Sequence, residues 1–143
     1  MPHLSPITPH LILCPGEAQG QVLALSEPVS FWGGFDPNTG AILENGHPQQ
    51  GLSLKGKFVL MERGKGSSGT PAGVTESIRI GSGPAGIILL EPDANIATGA
   101  LVARQLYGLS CPVLVLTAAH FAAASRATTL IFREDRLVVE EAG

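Results

Sequence analysis

The stretch that decides the fold reads Phe58-Val59-Leu60-Met61, Glu62-Arg63, Gly64-Lys65-Gly66-Ser67-Ser68-Gly69, Thr70-Pro71. Its first four residues are apolar without alternation. That pattern belongs to a strand buried on both faces, as in a parallel sheet. Thr70 and Pro71 predict a helix start, with Thr70 as N-cap and Pro71 at the first helical position, where a missing N–H is no loss. Val74 and Ile78, four apart, face the core. Gly81-Ser82-Gly83-Pro84 stops the helix.

The grammar repeats towards the C-terminus. Ala85 to Leu90 reads as a second buried strand. Ile96 to Tyr107 reads as a second helix, with Ala97, Ala100, Leu101, Ala103 and Arg104 at helical spacing and Gly108 as its stop. Val113-Leu114-Val115-Leu116 is a third strand. His120 to Ser125 forms a short Ala-rich helix, and Thr129 to Phe132 with Leu137 to Glu140 a hairpin about Glu134-Asp135. Strand–helix–strand–helix–strand predicts an α/β fold with a parallel sheet and right-handed crossovers.

The N-terminal third reads as β-structure with long connections. Gln21 to Leu25 is a strand. Ser30-Phe31-Trp32-Gly33-Gly34-Phe35-Asp36-Pro37-Asn38-Thr39-Gly40 packs aromatics, a Gly pair and a turn together, with Pro37 and Gly40 as turn formers. Ala41-Ile42-Leu43 is a strand end, followed by a loop through His47-Pro48. The chain, 143 residues long, is expected to be one domain, residues 1–143.

Composition excludes several classes. Hydrophobic residues make up 44% and charged residues 15% of the chain, so few charges that part of the surface is expected to be covered by another chain. A net charge of -3 with scattered Lys and Arg gives no footprint for nucleic acid. Cys14 and Cys111 are far apart, with no C-x-x-C pair, and are read as buried hydrophobes in a reduced cytoplasm rather than metal ligands. Met1-Pro2-His3 has no basic n-region, and Leu11-Ile12-Leu13 is too short for a signal sequence. No run approaches the roughly 20 apolar residues of a membrane span. The expected setting is cytoplasmic, without membrane, nucleic acid or metal bound by this chain.

The glycine-serine loop carries the chemistry. Ligands of such folds sit outside the carboxyl ends of the strands, at helix N-termini. Gly64, Gly66 and Gly69 allow close backbone approach. The helix offers unpaired N–H groups and the positive end of its dipole. Ser67, Ser68 and Thr70 add hydroxyls and Lys65 a cation, so the place suits a carboxylate or phosphate and lowers the cost of a serine alkoxide. The loop is not a Walker A sequence, because Gly66 follows Lys65 and the leading Gly would fall on Val59. It does match G-x-G-x-x-G, with Glu91 ending the next strand, which keeps a nucleotide- or anion-binding module without chemistry as an alternative. A capped surface loop is the structural alternative.

Other candidates are weaker. His47 is read as a turn histidine satisfied by backbone, His3 and His10 as solvent-exposed, and His120 as a helix-face residue. Phe31 and Trp32 fill a core or an interface. Glu76 and Arg79 are read as solvated, with a pair across one turn or a contact with a partner subunit as the alternatives. Glu91 and Asp93 line the cleft edge.

An ordered series then stands out: Ser30-Phe31-Trp32-Gly33-Gly34, Asp36-Pro37, Thr39-Gly40, His47-Pro48, Gly56-Lys57, the glycine-serine loop, Glu91, Gly99-Ala100, Val102-Ala103, Leu106-Tyr107-Gly108 and Pro112-Val113. Over residues 16 to 117 it resembles the small subunit, or swivelling domain, of the aconitase X family. The resemblance implies a swivelling β/β/α domain, like the mobile domain of aconitase, docked on a large subunit. That subunit would hold an iron–sulfur cluster and most of the substrate site. It implies a dehydratase, a hydro-lyase active only as a heterodimer. The substrate would be a small hydroxy acid, cis-3-hydroxy-L-proline or (R)-5-phosphomevalonate.

In the family the swivelling domain supplies a serine from a Gly-Arg-Gly-Ser-Ser-Ser-Gly-Ser type loop. This implies Ser67 or Ser68 as the catalytic proton-transfer group, with Gly64, Lys65, Gly66, Gly69 and Thr70 binding the anion. Two departures stand. Lys65 replaces Arg, which keeps the charge and loses bidentate recognition. Gly69-Thr70-Pro71 replaces Ser-Gly-Ser, so a later catalytic serine would leave only Thr70 in its place. The modest Lys and Glu content lacks a hyperthermophile signature and favours the hydroxyproline reaction.

Overall fold

The structure, a computed structural model, describes residues 6–141. It contains β1 (Leu11–Cys14), β2 (Ala18–Ala24), β3 (Phe58–Met61), α1 (Thr70–Ile80), β4 (Gly86–Leu89), α2 (Ala94–Tyr107), β5 (Val113–Val115), α3 (Ala118–Ser125), β6 (Thr129–Arg133) and β7 (Arg136–Glu140). One mixed sheet has the order β1-β5-β4-β3-β2-β6-β7. Its centre, β2 to β5, is parallel, while β1, β6 and β7 pair antiparallel. The expected β3–α1–β4–α2–β5 alternation is present.

The sheet curls into a half-barrel. Ile7, just upstream of edge strand β1, exchanges backbone hydrogen bonds with Leu137 of β7, both 2.8 Å long, at the opposite edge. One short stretch of chain therefore touches both edges. This covers much of what an open sheet leaves unpaired.

Side-chain alternation on β3 divides the core. Val59 and Met61 join one cluster with Ile87, Leu89, Val74, Ile96, Cys14 and Cys111, beneath α1 and α2. Phe58 and Leu60 join the other with Ile88, Leu114, Leu130, Phe132 and Val139, inside the curl. Because neither face of β3, β4 or β5 meets water, these three strands are continuous apolar runs. Small residues let α1 and α2 approach closely. A Cβ on Gly99 would stand 2.6 Å from both Pro71 O and Val74 Cβ. Thr75 Oγ1 donates to Gly99 O at 2.7 Å across the same contact.

Several expectations are corrected. Leu11 to Cys14 is an edge strand, hidden by its brevity. The strand expected at Gln21 begins at Ala18, held by pairing with β6. Ala41 and Ile42 form only isolated bridges, to Ser53 and Phe35. The segment from Ser26 to Lys57 is therefore a long excursion of turns, folded over the mouth of α1. The second helix starts at Ala94, because Asp93 is its N-cap and accepts from Ile96 N–H at 2.9 Å. The third starts at Ala118, capped by Thr117. Of the residues at helical spacing on α2, Ala97, Ala100 and Ala103 are buried and Leu101 is exposed. The helix stops at Gly81 and Gly108 fall as expected, each residue in the left-handed conformation. So does the hairpin turn, where Glu134 and Asp135 both have positive φ, as a type I′ turn requires.

Candidate functional site

The glycine-serine loop lies between the carboxyl end of β3 and the N-terminus of α1, where the sequence places it. Its construction differs from expectation in one respect. Gly69, not Thr70, is the N-cap, and no side chain caps the N-terminus of α1 from that position. Thr70 is the first helical residue. It is buried, and its hydroxyl has no hydrogen-bond partner among the described residues. The reason is a turn one step earlier. Ser67 Oγ accepts from Gly69 N–H and Ser67 O accepts from Thr70 N–H, both at 3.2 Å.

The two loop serines are thereby distinguished. The Ser67 hydroxyl is occupied by the backbone and half-buried, while Ser68 is exposed. Lys65 reaches sideways to Glu44, Nζ to Oε2 3.2 Å. The other oxygen of Glu44 accepts from Ser30 N–H at 2.9 Å. Glu44 thus ties the Ser30–Gly34 segment to the loop, and Gly34 makes room for it: a Cβ there would lie 2.6 Å from Glu44 Oε1. Gly64 packs against the Asp93 carboxylate and Ile96, so the N-terminus of α2 joins that of α1 at the same mouth.

Trp32 sits at this mouth too. Phe31 is buried and packs on Phe35, ring centroids 5.8 Å apart, but Trp32 is 60% exposed and its ring covers Gly69. Phe31 O rests against Gly73, leaving no space for a side chain there. Between the aromatic segment and α1 lies an apolar groove of about 330 Å³ lined by Phe31, Trp32, Phe35, Pro37, Ala72 and Gly73, among others. On the other side of the loop, Glu27, Pro28, Arg63, Gly64, Lys65 and Gly66 line a more polar cleft of about 410 Å³. Glu44 and Arg63 escaped the sequence reading. No motif marks them, and only the folding of the long excursion onto the loop brings Glu44 within reach.

The remaining candidates fall as follows. His47 is buried in its turn. Its Nδ1 accepts from Gln49 N–H and its Nε2 therefore donates to Glu27 O, both 3.0 Å, which fixes the tautomer. Glu76 and Arg79 pair across one turn of α1. That hydrogen bond holds the Glu76 carboxyl below the usual carboxylate range. His10 and His120 are exposed, and Glu91 is exposed outside the cleft. Asp93 is committed to its cap. His3 lies outside the described residues.

Cys14 and Cys111 are fully buried, and burial pushes both thiols up. Among the described residues no three His, Cys, Asp or Glu side chains gather as metal ligands. The chain's own residues do not fit an iron–sulfur cluster, which needs several accessible thiolates.

Comparison with known proteins agrees with this geometry. Residues 8–140 match the family model of the aconitase X swivel domain, a longer stretch than the 16–117 of the sequence resemblance. The chain belongs to that family. It is 37% identical over 116 residues to a cis-3-hydroxy-L-proline dehydratase of Pseudomonas aeruginosa, covering 81% of this chain and 20% of that protein. It is 39% identical over 92 residues to the phosphomevalonate dehydratase small subunit of Methanothermobacter thermautotrophicus, covering 64% of this chain and 70% of that one. The crystal structure of Thermococcus kodakaraensis aconitase X, in its holo-form, superposes with a TM-score of 0.75 at 25% identity, covering 91% of this chain and 95% of that chain. The chain thus spans about one fifth of the Pseudomonas protein and most of the separate small subunits. No helix among the described residues is long and apolar enough to cross a membrane.

Proposed function

We propose that this chain is the small subunit of a heteromeric aconitase X-type hydro-lyase, and that cis-3-hydroxy-L-proline is its substrate. Its 143 residues act as one swivelling domain that brings the glycine-serine loop to a site completed by a large subunit in the cytoplasm. The observation that carries this reading is the arrangement at the mouth of α1. There an exposed Ser68 and the Lys65 ammonium flank a helix N-terminus, with Ser67 held back by its own backbone.

The chemistry follows from that arrangement. Ser68, as alkoxide, takes the proton from a substrate carbon while hydroxide leaves the adjacent carbon and the C=C bond forms; transfer of that proton from Ser68 Oγ to the departing hydroxide gives water and restores the alkoxide. The positive end of the α1 dipole and nearby N–H groups stabilise the serine anion. Lys65, with the backbone of Gly64, Gly66 and Gly69, holds the substrate carboxylate, and the buried Thr70 hydroxyl backs the loop. An iron–sulfur cluster belongs to the large subunit, since this chain offers no ligand set for it.

A partner is also supported by the surface. Leu101, Val102, Leu106 and Tyr107 of α2, Leu109, and Leu11 and Ile12 of edge strand β1 are exposed. Such an apolar surface favours burial against another chain. The alternative substrate, (R)-5-phosphomevalonate, is favoured by one observation: several relatives that are separate small subunits, those of Methanothermobacter thermautotrophicus and Pyrococcus furiosus among them, are named phosphomevalonate dehydratases.

The test is co-expression with an aconitase X large subunit from the same organism. A stable complex that dehydrates cis-3-hydroxy-L-proline is expected. A chain that stays monomeric, or a complex whose turnover survives both Ser67→Ala and Ser68→Ala, would sink the reading.

A further inference from the structure

The pair formed by Lys65 and Glu44 is not a casual surface contact. The Lys65 side chain is 55% exposed, whereas that of Glu44 is only 15% exposed. One Glu44 oxygen is anchored on Ser30 N–H at 2.9 Å, and Gly34 lacks a side chain where one would stand 2.6 Å from that oxygen. The carboxylate is therefore built into the loop's support, and the flexible ammonium comes to it at 3.2 Å.

Its effect on the mouth is electrostatic. The polar cleft beside the loop contains Arg63 and Lys65 as cations and Glu27 as an anion. Glu44 stands against Lys65, and Asp93 packs against Gly64. Carboxylates thus outnumber cations around the glycines. A phosphate dianion, with twice the charge of a carboxylate, gains more from uncompensated cations and bidentate Arg contacts and loses more to neighbouring carboxylates. A substrate group of one negative charge, carried on a molecule that also bears an ammonium, loses less. Its carboxylate can share Lys65 and the backbone N–H groups, while its ammonium is favoured by the surrounding carboxylates.

We infer that Glu44 is a specificity-determining residue of the loop: by compensating Lys65 it makes the site accept a zwitterionic carboxylate and turn away a phosphate dianion. This rests on the functional reading above and adds the charge class of the substrate to it. Glu44 need not touch the substrate, since it acts through Lys65.

The test uses Glu44→Gln, which is isosteric and still accepts the Ser30 N–H. Two quantities are measured at about pH 8, where a phosphate carries close to two charges. One is kcat/KM for cis-3-hydroxy-L-proline in the two-subunit complex. The other is binding of inorganic phosphate to the full chain, read by the fluorescence of Trp32, its single tryptophan.

The amide is expected to bind phosphate about tenfold more tightly than the parent, the size of one removed and partly screened charge. Its kcat/KM for the imino acid is expected to hold or fall, so that discrimination between the two shrinks about tenfold or more. A purely structural role would weaken both ligands together and leave their ratio unmoved. Phosphate binding that is weaker, equal or undetectable in both chains overturns the inference. If the parent complex does not dehydrate cis-3-hydroxy-L-proline, the functional reading fails, and the phosphate titration still decides the role of Glu44.

Discussion

The indole ring of Trp32 occupies the space above Gly69, the N-cap of α1. A Cβ on Gly69 would meet the ring, with Trp32 Cε2 at 2.7 Å. Gly69 has φ of -85°, so nothing in the backbone demands glycine there, and the ring alone does. Trp32 is largely exposed and free to swing aside. Gly69→Ala is therefore expected to leave the melting temperature within a few degrees of the parent. It should lower kcat/KM of the complex by about tenfold, since small misplacements of a catalytic loop are costly. Combining it with Trp32→Ala removes the collision. If the double variant is no less impaired than the sum of the singles, the contact does not position the loop.

The two loop serines should respond differently to alanine. Ser68→Ala is expected to lower kcat by about 10²–10⁴, the range for a proton-transfer group, without changing stability. Ser67→Ala removes the acceptor of the Gly69 N–H. Its signature is a loss of about 1 kcal/mol of stability, typical of one lost hydrogen bond, with a smaller change in kcat. Denaturant titration of the chain and steady-state kinetics of the complex separate the two outcomes.

Gly99→Ala sets helix propensity against packing. Alanine gains about 1 kcal/mol over glycine in a helix interior. Here its Cβ would stand 2.6 Å from Pro71 O, a backbone atom held by the opposite helix. Overpacking of this kind costs about 1–3 kcal/mol, so the net effect is destabilising, by about 1 kcal/mol. Urea unfolding of the chain checks the sign, and a stabilised variant would show that the two helices slide apart freely.

The buried thiols predict an alkaline limb in the stability profile. Burial raises the pKa of Cys111 and of Cys14, the latter opposed by Arg104, above the ordinary value of 9.0. Below that value both states hold the protons and the contribution to stability is complete. Above it the unfolded thiols ionise while the folded ones do not, so stability falls as pH rises. The slope is at most about 1.4 kcal/mol per pH unit for each thiol. Unfolding titrations from pH 7 upward should show this loss, and Cys111→Ala should flatten it.

Much of this molecule is legible one residue at a time. The runs from Phe58 to Met61 and from Gly86 to Leu89 announce doubly buried strands. Pro71, Gly81 and Gly108 mark helix ends through their own backbone preferences. The tertiary structure adds what depends on distant segments meeting. Leu11 to Cys14 carries no strand signal strong enough to notice, and becomes a strand because β5 offers it an edge. Thr70 looks like a cap by type and place. It is not one, because Ser67 turns the backbone one step earlier and makes Gly69 the N-cap.

The candidate site divides in the same way. Gly64 to Gly69 is recognisable as an anion-binding loop because glycine spacing, a preceding strand and a following Pro are all local. Which serine is free, and what holds Lys65, is not local. Glu44 lies 21 residues from Lys65 in sequence, in a stretch without regular structure, and nothing short-ranged relates them. Sequence by itself determined the α/β alternation and the loop, since backbone preference and hydrophobic periodicity act within a few residues. Only the tertiary structure decided the cap, the tryptophan cover and the compensated lysine, because close packing and Coulomb interaction act through space between segments that the chain keeps far apart.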